Sequence, residues 1–400
     1  SPLNLTVSED GKHLFVVAQD GDAVLKLDTQ TREVVAKTVV GDHPHSVILD
    51  PQKQLLYVSN QWSDNVSVLD AVSLTHLDTL QAGNGPSGLA LSADNKRLYV
   101  VNTFSSSISV LDIASEKEIK RLRVGDDPTG IAISQRDQIL VGSRRARLSE
   151  YGVPLETDLV EIDSKHDRLK KRIPMSNAYM IENIAFTPSS DLALTTLIRP
   201  KNNIPSVQVE SGWMMTHGIG LIENRPGGKT AQLLIDEPNS YYPDPYDIEV
   251  TPDGKKAFVS SSGVNVISVI DMDSLRNLVK NSTQAELDRM ANDLDAGRSF
   301  IVGRIKTGAG PKGMVIAPGG KYLYVAEQLE DRIAVIDVET HGNIGSIDLG
   351  GPEKVSVLRQ GRRLFNNASH TFQKQYSCYT CHPDNHEDGL IYNMAGKQMG

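Results

Sequence analysis

A strand motif that recurs every 42 residues, at Leu27-Asp28, Leu69-Asp70 and Leu111-Asp112, predicts an all-β fold: a seven-bladed β-propeller of four-stranded blades. Two further observations point the same way. Each Leu-Asp pair follows a β run of the type Leu56-Tyr57-Val58-Ser59-Asn60 or Leu98-Tyr99-Val100-Val101-Asn102, and Gly-x-x-Pro turns at 41–44, 83–86 and 125–128 separate the copies.

The copies continue in degenerate form. Ile162-Asp163, Ile222-Glu223, Ile270-Asp271 and Ile336-Asp337 hold the same place, with Ala257-Phe258-Val259-Ser260 and Leu323-Tyr324-Val325-Ala326 as earlier strands. Three clear copies and four weaker ones make seven blades. A four-stranded blade cannot bury both of its faces alone, so blades pack around an axis and each covers its neighbour. Runs such as Val66-Ser67-Val68-Leu69-Asp70 fit buried strands, and the terminal Asp is suited to accept backbone N–H groups of the next turn. Because those aspartates repeat, turn chemistry accounts for them without a catalytic role.

These residues resemble the YVTN-repeat family of β-propellers, and the resemblance covers roughly residues 3–350. It implies a propeller domain over 1–350, with 351–400 as a separate segment.

Composition bounds the function. The chain has 400 residues, 39% hydrophobic and 23% charged, enough for one large domain and an appendage. No apolar run of about 18 residues is present, which argues against a membrane span. A net charge of -9 and a pI near 5.6 argue against a nucleic-acid partner. Residues 351–400 carry six Lys/Arg against four Asp/Glu, so a weakly basic appendage can dock on an acidic body. The first residue is Ser1 rather than Met, as in a processed or trimmed chain.

Interruptions of the repeat locate candidate sites, because variable loops on a rigid scaffold are where sites are built. Residues 144–157 and 198–216 expand the second-to-third strand connections of blades four and five, and 273–298 expands the third-to-fourth connection of blade six. In the last, Thr283-x-x-Glu286 precedes Leu287, Met290 and Leu294, a capping box opening an amphipathic helix. Up-and-down blades place the second-to-third loops and the inter-blade loops on one face. That face would carry Arg144, Arg145, Arg147, Arg199, Lys201, Trp213, Met214, Met215 and His217, near Tyr241, Tyr242 and Tyr246. The arginines suit either an ion-paired surface or the carboxylates of a bound cofactor, and His217, Met214 and Met215 are either packing or axial metal ligands. Inner strands begin with His45, Ser87, Thr129, Glu182, Asp247 and Lys312, too few acids for a calcium hydrolase centre.

The chain leaves blade seven on the same face. There its only two cysteines form Ser377-Cys378-Tyr379-Thr380-Cys381-His382, the C-x-x-C-H signature for covalent attachment of haem c. Cys378 and Cys381 would form thioethers, and His382 would ligate iron from the proximal side. A structural zinc site needs four ligands, and only His382 and His386 stand beside this one Cys pair. A thioredoxin-like site lacks its βαβ setting, and a disulfide across two residues is strained.

From Gly361-Arg362-Arg363-Leu364-Phe365 through Ser377 to Pro383, the segment resembles the first haem stretch of the bacterial di-haem cytochrome c peroxidase superfamily over about forty residues. The resemblance implies that Leu364 and Phe365 pack on the haem edge. A haem domain needs more than these residues, so 351–400 is expected either to begin a mostly helical or irregular cytochrome c domain continuing beyond Gly400, the favoured reading, or to sandwich the haem against the propeller. The superfamily holds two haems, whereas this chain has one motif. The function expected is an extracytoplasmic c-type haem redox protein, periplasmic or at the cell surface. It would perform electron transfer or peroxidase-like oxidation, with a redox protein or a small-molecule oxidant or reductant as partner. The alternative is a propeller scaffold for a protein or glycan, with haem secondary or absent.

Overall fold

Alternating β-branched and aliphatic residues form seven antiparallel four-stranded sheets, each built from consecutive strands. They span 2–39, 44–81, 86–123, 128–176, 184–234, 245–306 and 311–348. The computed structural model describes the whole chain except residues 148–152, 202–213, 353, 386, 391–392, 395–396 and 399–400, with backbone alone at 385, 393–394 and 397–398. The seven-bladed, four-stranded propeller is thus as the repeat predicts.

Burial explains why the sheets close into a ring. One apolar cluster lies at each junction between neighbouring blades, so every sheet face is covered by the next. The ring closes without strand exchange: Leu5, Val16 and Leu25 of blade one pack on Tyr324, Ile333 and Ile347 of blade seven. The inner strands crowd together at the axis. A Cβ on Gly88 would stand 2.3 Å from Thr129 O, and one on Gly130 would stand 2.5 Å from Glu182 O, so only glycine fits there.

The repeated aspartates act as turn acceptors. Asp70 Oδ1 receives Val72 N at 3.1 Å and Ser73 N at 2.6 Å, and Asp28 and Asp337 repeat the pattern. Blade six uses its Asp differently, because Asp271 caps helix α1, Met272–Asn281, through Ser274 N. Helix α2, Gln284–Met290, follows with the expected capping box between Thr283 and Glu286.

Beyond blade seven the chain forms α3, Val357–Phe365, and the single turn α4, Cys378–Cys381. Both lie on the face of the second-to-third strand loops. Arg359, Arg362 and Arg363 of α3 pair with Asp331, Asp20 and Glu330, so the basic segment docks on acidic loops of blades seven and one. Among the described residues no helix is long and apolar enough to cross a membrane.

Candidate functional site

Strand register defines two rings of side chains at the mouth of the axial channel. Pro2, Pro44, Pro86, Pro128, Pro245 and Pro311 each start an inner strand and pair with the last residue of the second strand. The next residues form the inner ring: Leu3, His45, Ser87, Thr129, Tyr246 and Lys312, with Glu182 in blade five. Tyr246, not Asp247, therefore holds the blade-six position; Asp247 lies one residue deeper. In every blade but the fifth, the residue after the second strand forms the outer ring: Gln19, Gln61, Thr103, Arg144, Ser262 and Gln328.

α4 stoppers this mouth. In a helical turn, residues 378, 381 and 382 share one side, leaving Tyr379 and Thr380 on the other. Tyr379 and Thr380 are buried, whereas Cys378 and His382 are exposed. The Tyr379 hydroxyl donates to Glu182 Oε1 at 3.3 Å, and Lys312 Nζ lies 3.8 Å from the Tyr379 ring centroid and 4.3 Å from that of Tyr246. Asp244 accepts from Ser377 Oγ at 2.6 Å and Thr380 Oγ1 at 2.5 Å, and Tyr179 Oη donates to Thr380 O at 3.2 Å. Around Tyr379 pack Leu155, Tyr179, Met180, Ile198 and Met215. The insertions of blades four and five thus supply the bed for the C-x-x-C-H turn.

Charge at the mouth is compensated. Arg144 is buried, with Nε 2.8 Å from Glu182 Oε2 and a second ion pair to Asp384. Burial opposes the Arg144 charge, but Asp384 and Glu182 outweigh it and hold the guanidinium protonated. Burial likewise opposes the Asp384 carboxylate, and Arg144 and Lys312 drive its pKa far below the usual range. Burial lowers Lys312 and takes His45 down to about 3, so His45 is neutral at ordinary pH.

Beneath the stopper the channel widens to about 250 Å³, lined by Asn4, Ser46, Asn183, Asp247 and Glu249 among others. Burial raises Asp247 to about 6, although Met314 N and Ile248 N donate to its carboxylate, and burial with the nearby Asp247 charge raises Glu249. An aspartate in the unfolded chain ionises near ~3.9. The stability held by protonated Asp247 is therefore complete below about pH 4 and is lost as pH rises to about 6. Melting curves across that window should fall less steeply for Asp247→Asn than for the parent; parallel curves would refute the assignment.

The arginines and aromatic residues singled out in the sequence separate here. Arg145 bridges to Asp127 at 3.2 Å and donates to Glu387 O at 3.0 Å, against the C-terminal segment. Arg199 points away from α4, since its neighbour Ile198 faces that cluster. It bonds Ser176 O at 3.2 Å and Gln232, and burial lowers it to about 10. His217 is wholly buried and clamped by Asp236, with Nδ1 3.1 Å from Oδ2, which explains it as core. Tyr241 is buried, and Tyr242 lies 3.6 Å beneath the guanidinium of Arg304. Trp213 lies outside the described residues, as does His386. The docking residues Tyr179, Asp244 and Tyr379 carried no sequence signal beyond their nearness to the insertions and to the motif.

Cys378, Cys381 and His382 suit covalent attachment of haem. Cys378 is exposed, and Cys381 is half-buried in a cluster with Phe365, Tyr376 and Leu390. Cys378 and His382 are open to solvent on a turn whose Tyr379 and Thr380 are anchored, whereas Cys381 packs against the apolar cluster of Leu155, Tyr179 and Met180. Phe365 packs in the same cluster as Cys381, while Leu364 is exposed to solvent.

Fold and site together define a seven-bladed propeller whose channel mouth is stoppered by a C-x-x-C-H turn. The family of YNCE-like beta-propellers matches residues 1–138. Hydrazine synthase subunit beta of Kuenenia stuttgartiensis is 32% identical over 175 residues, 44% of this chain and 45% of that protein, so the match spans less than half of the curated relative. Among solved structures, Kuenenia stuttgartiensis hydrazine synthase superposes with a TM-score of 0.80 at 29% identity, covering 84% of this chain and 96% of that one. A functionally unknown protein from Desulfotomaculum acetoxidans DSM 771 covers 84% of this chain and 95% of its own, with a TM-score of 0.57 and 13% identity, a likeness of fold alone.

Proposed function

We propose that the chain is an extracytoplasmic redox protein, carrying haem c on Cys378 and Cys381 with His382 as proximal ligand, and that its propeller is the scaffold that docks a redox partner. One observation carries this reading: Cys378 and His382 are exposed, with Cys381 half-buried beside them, on a turn whose Tyr379 and Thr380 are fixed in the channel mouth. Haem supplies a one-electron couple when bound. The chain's own residues orient it: Asp244 holds the hydroxyls of Ser377 and Thr380, Tyr179 holds the Thr380 carbonyl, and Glu182 holds the Tyr379 hydroxyl. The similarity to a protein named as a subunit supports a protein partner. Peroxidase-like oxidation requires an open distal side, whereas a second strong axial ligand restricts the site to electron transfer.

Expression with the c-type cytochrome maturation machinery, followed by the pyridine haemochrome spectrum, tests the reading. One covalent haem per chain is expected, and none in the Cys378→Ala, Cys381→Ala double variant. Absence of covalent haem from the intact chain would leave the alternative, a binding scaffold for a protein or glycan.

A further inference from the structure

The half of the face that α4 leaves uncovered contains a second cavity. It measures about 740 Å³ and lies between α3 and the loops of blades one, two, three and seven. That volume is typical of small-molecule sites. Its floor is the amide part of the outer ring, Gln19, Gln61 and Gln328, and its walls include Trp62, Phe104 and Phe365. Trp62 and Phe104 hold equivalent positions in consecutive repeats. The φ of +70° at Gly85 and its lack of a Cβ, which would stand 2.5 Å from the Phe104 ring, let that ring lie against the loop.

Three features define what would bind. Trp62 stacks on His43 with centroids 4.1 Å apart and planes 6° apart, yet remains 64% exposed, so the stack is open to another planar ring. Gln61 is only 3% exposed, and its amide has no hydrogen-bond partner among the described residues, leaving a donor and an acceptor for a ligand. The charges lining the cavity are already matched: the Ser1 ammonium and Arg359 with Asp331, Arg362 with Asp20, and Asp384 with Arg144. A ligand ion would have to break one of these pairs, whereas a neutral ring with oxygen on its edge would not.

We infer that this cavity binds a neutral planar ring of the phenol or quinone class, stacked on Trp62 and hydrogen-bonded by Gln61. Tyr379 lines the same cavity and lies between the two motif cysteines, which sets such a molecule beside the haem turn. That it exchanges electrons there rests on the haem reading; that it binds does not.

Calorimetric titration of the full chain, prepared with and without haem maturation, uses duroquinone and its quinol, with benzoate and benzylammonium as charged controls. One neutral ring per chain is expected to bind in both preparations, with Gln61→Leu and Trp62→Leu each weakening it about tenfold. Trp62 is largely exposed, so its variant tests the site even if the buried Gln61 variant fails to fold. Unchanged affinity in Trp62→Leu, tighter binding of either charged control, or no saturable binding would overturn the inference. A chain that binds the ring but acquires no haem would refute the haem reading alone.

Discussion

Arg144→Ala is expected to destabilise the protein by about 3–5 kcal/mol, because it removes the only ion-pair partner that Glu182 and Asp384 have among the described residues and leaves Lys312 alone to offset both. Glu182 is buried beneath the stopper, and the Tyr379 hydroxyl alone cannot neutralise it. Asp384 would lose the guanidinium that holds it ionised. The thermal midpoint should therefore drop sharply. Arg144→Ala with Glu182→Gln should recover a large part of the loss, because the second change removes the stranded charge. A single variant that melts with the parent would show that the ion pairs do not hold the mouth.

Asp244→Ala should release the C-terminal segment and leave the ring of blades intact. Its carboxylate receives the hydroxyls of Ser377 and Thr380, both buried, and charge-assisted bonds of this kind contribute about 1.5–3 kcal/mol each. The rest of the segment is held by Tyr379, by the backbone bond of Ala368 N to Gly263 O at 2.9 Å, and by the arginines of α3. Limited proteolysis should cut the variant between residues 366 and 390 well before the parent, and hydrogen exchange at His382 N should speed up. The main thermal transition should stay within a few degrees, because Asp244 lies outside the seven inter-blade cores. Equal protection of His382 N in both proteins would contradict the assignment.

The propeller was legible because its signals are local and periodic. Leu69-Asp70 and Leu111-Asp112 report strand ends, and the equivalent residues of the degenerate blades make the same antiparallel register. The insertions were legible as breaks in that period, and the polarity of the blades placed them on the correct face. Their chemistry was not. An arginine in a loop reads the same whether it ends against Glu182, as Arg144 does, or against Gln232, as Arg199 does. Strand alternation, which turns Ile198 toward α4 and Arg199 away from it, depends on register that the irregular fifth repeat hides.

The C-x-x-C-H spacing by itself singled out Cys378, Cys381 and His382 as the residues the proposed haem would use. The 42-residue period likewise determined the ring. Only the tertiary structure decided that Tyr379, a residue the motif leaves unspecified, enters the channel mouth, because that depends on Glu182, Lys312 and Asp244 arriving from three different blades. It also decided that Gln61 and Trp62 face a cavity roofed by a helix some 300 residues further along the chain. Such juxtapositions depend on long-range packing, which no local pattern encodes.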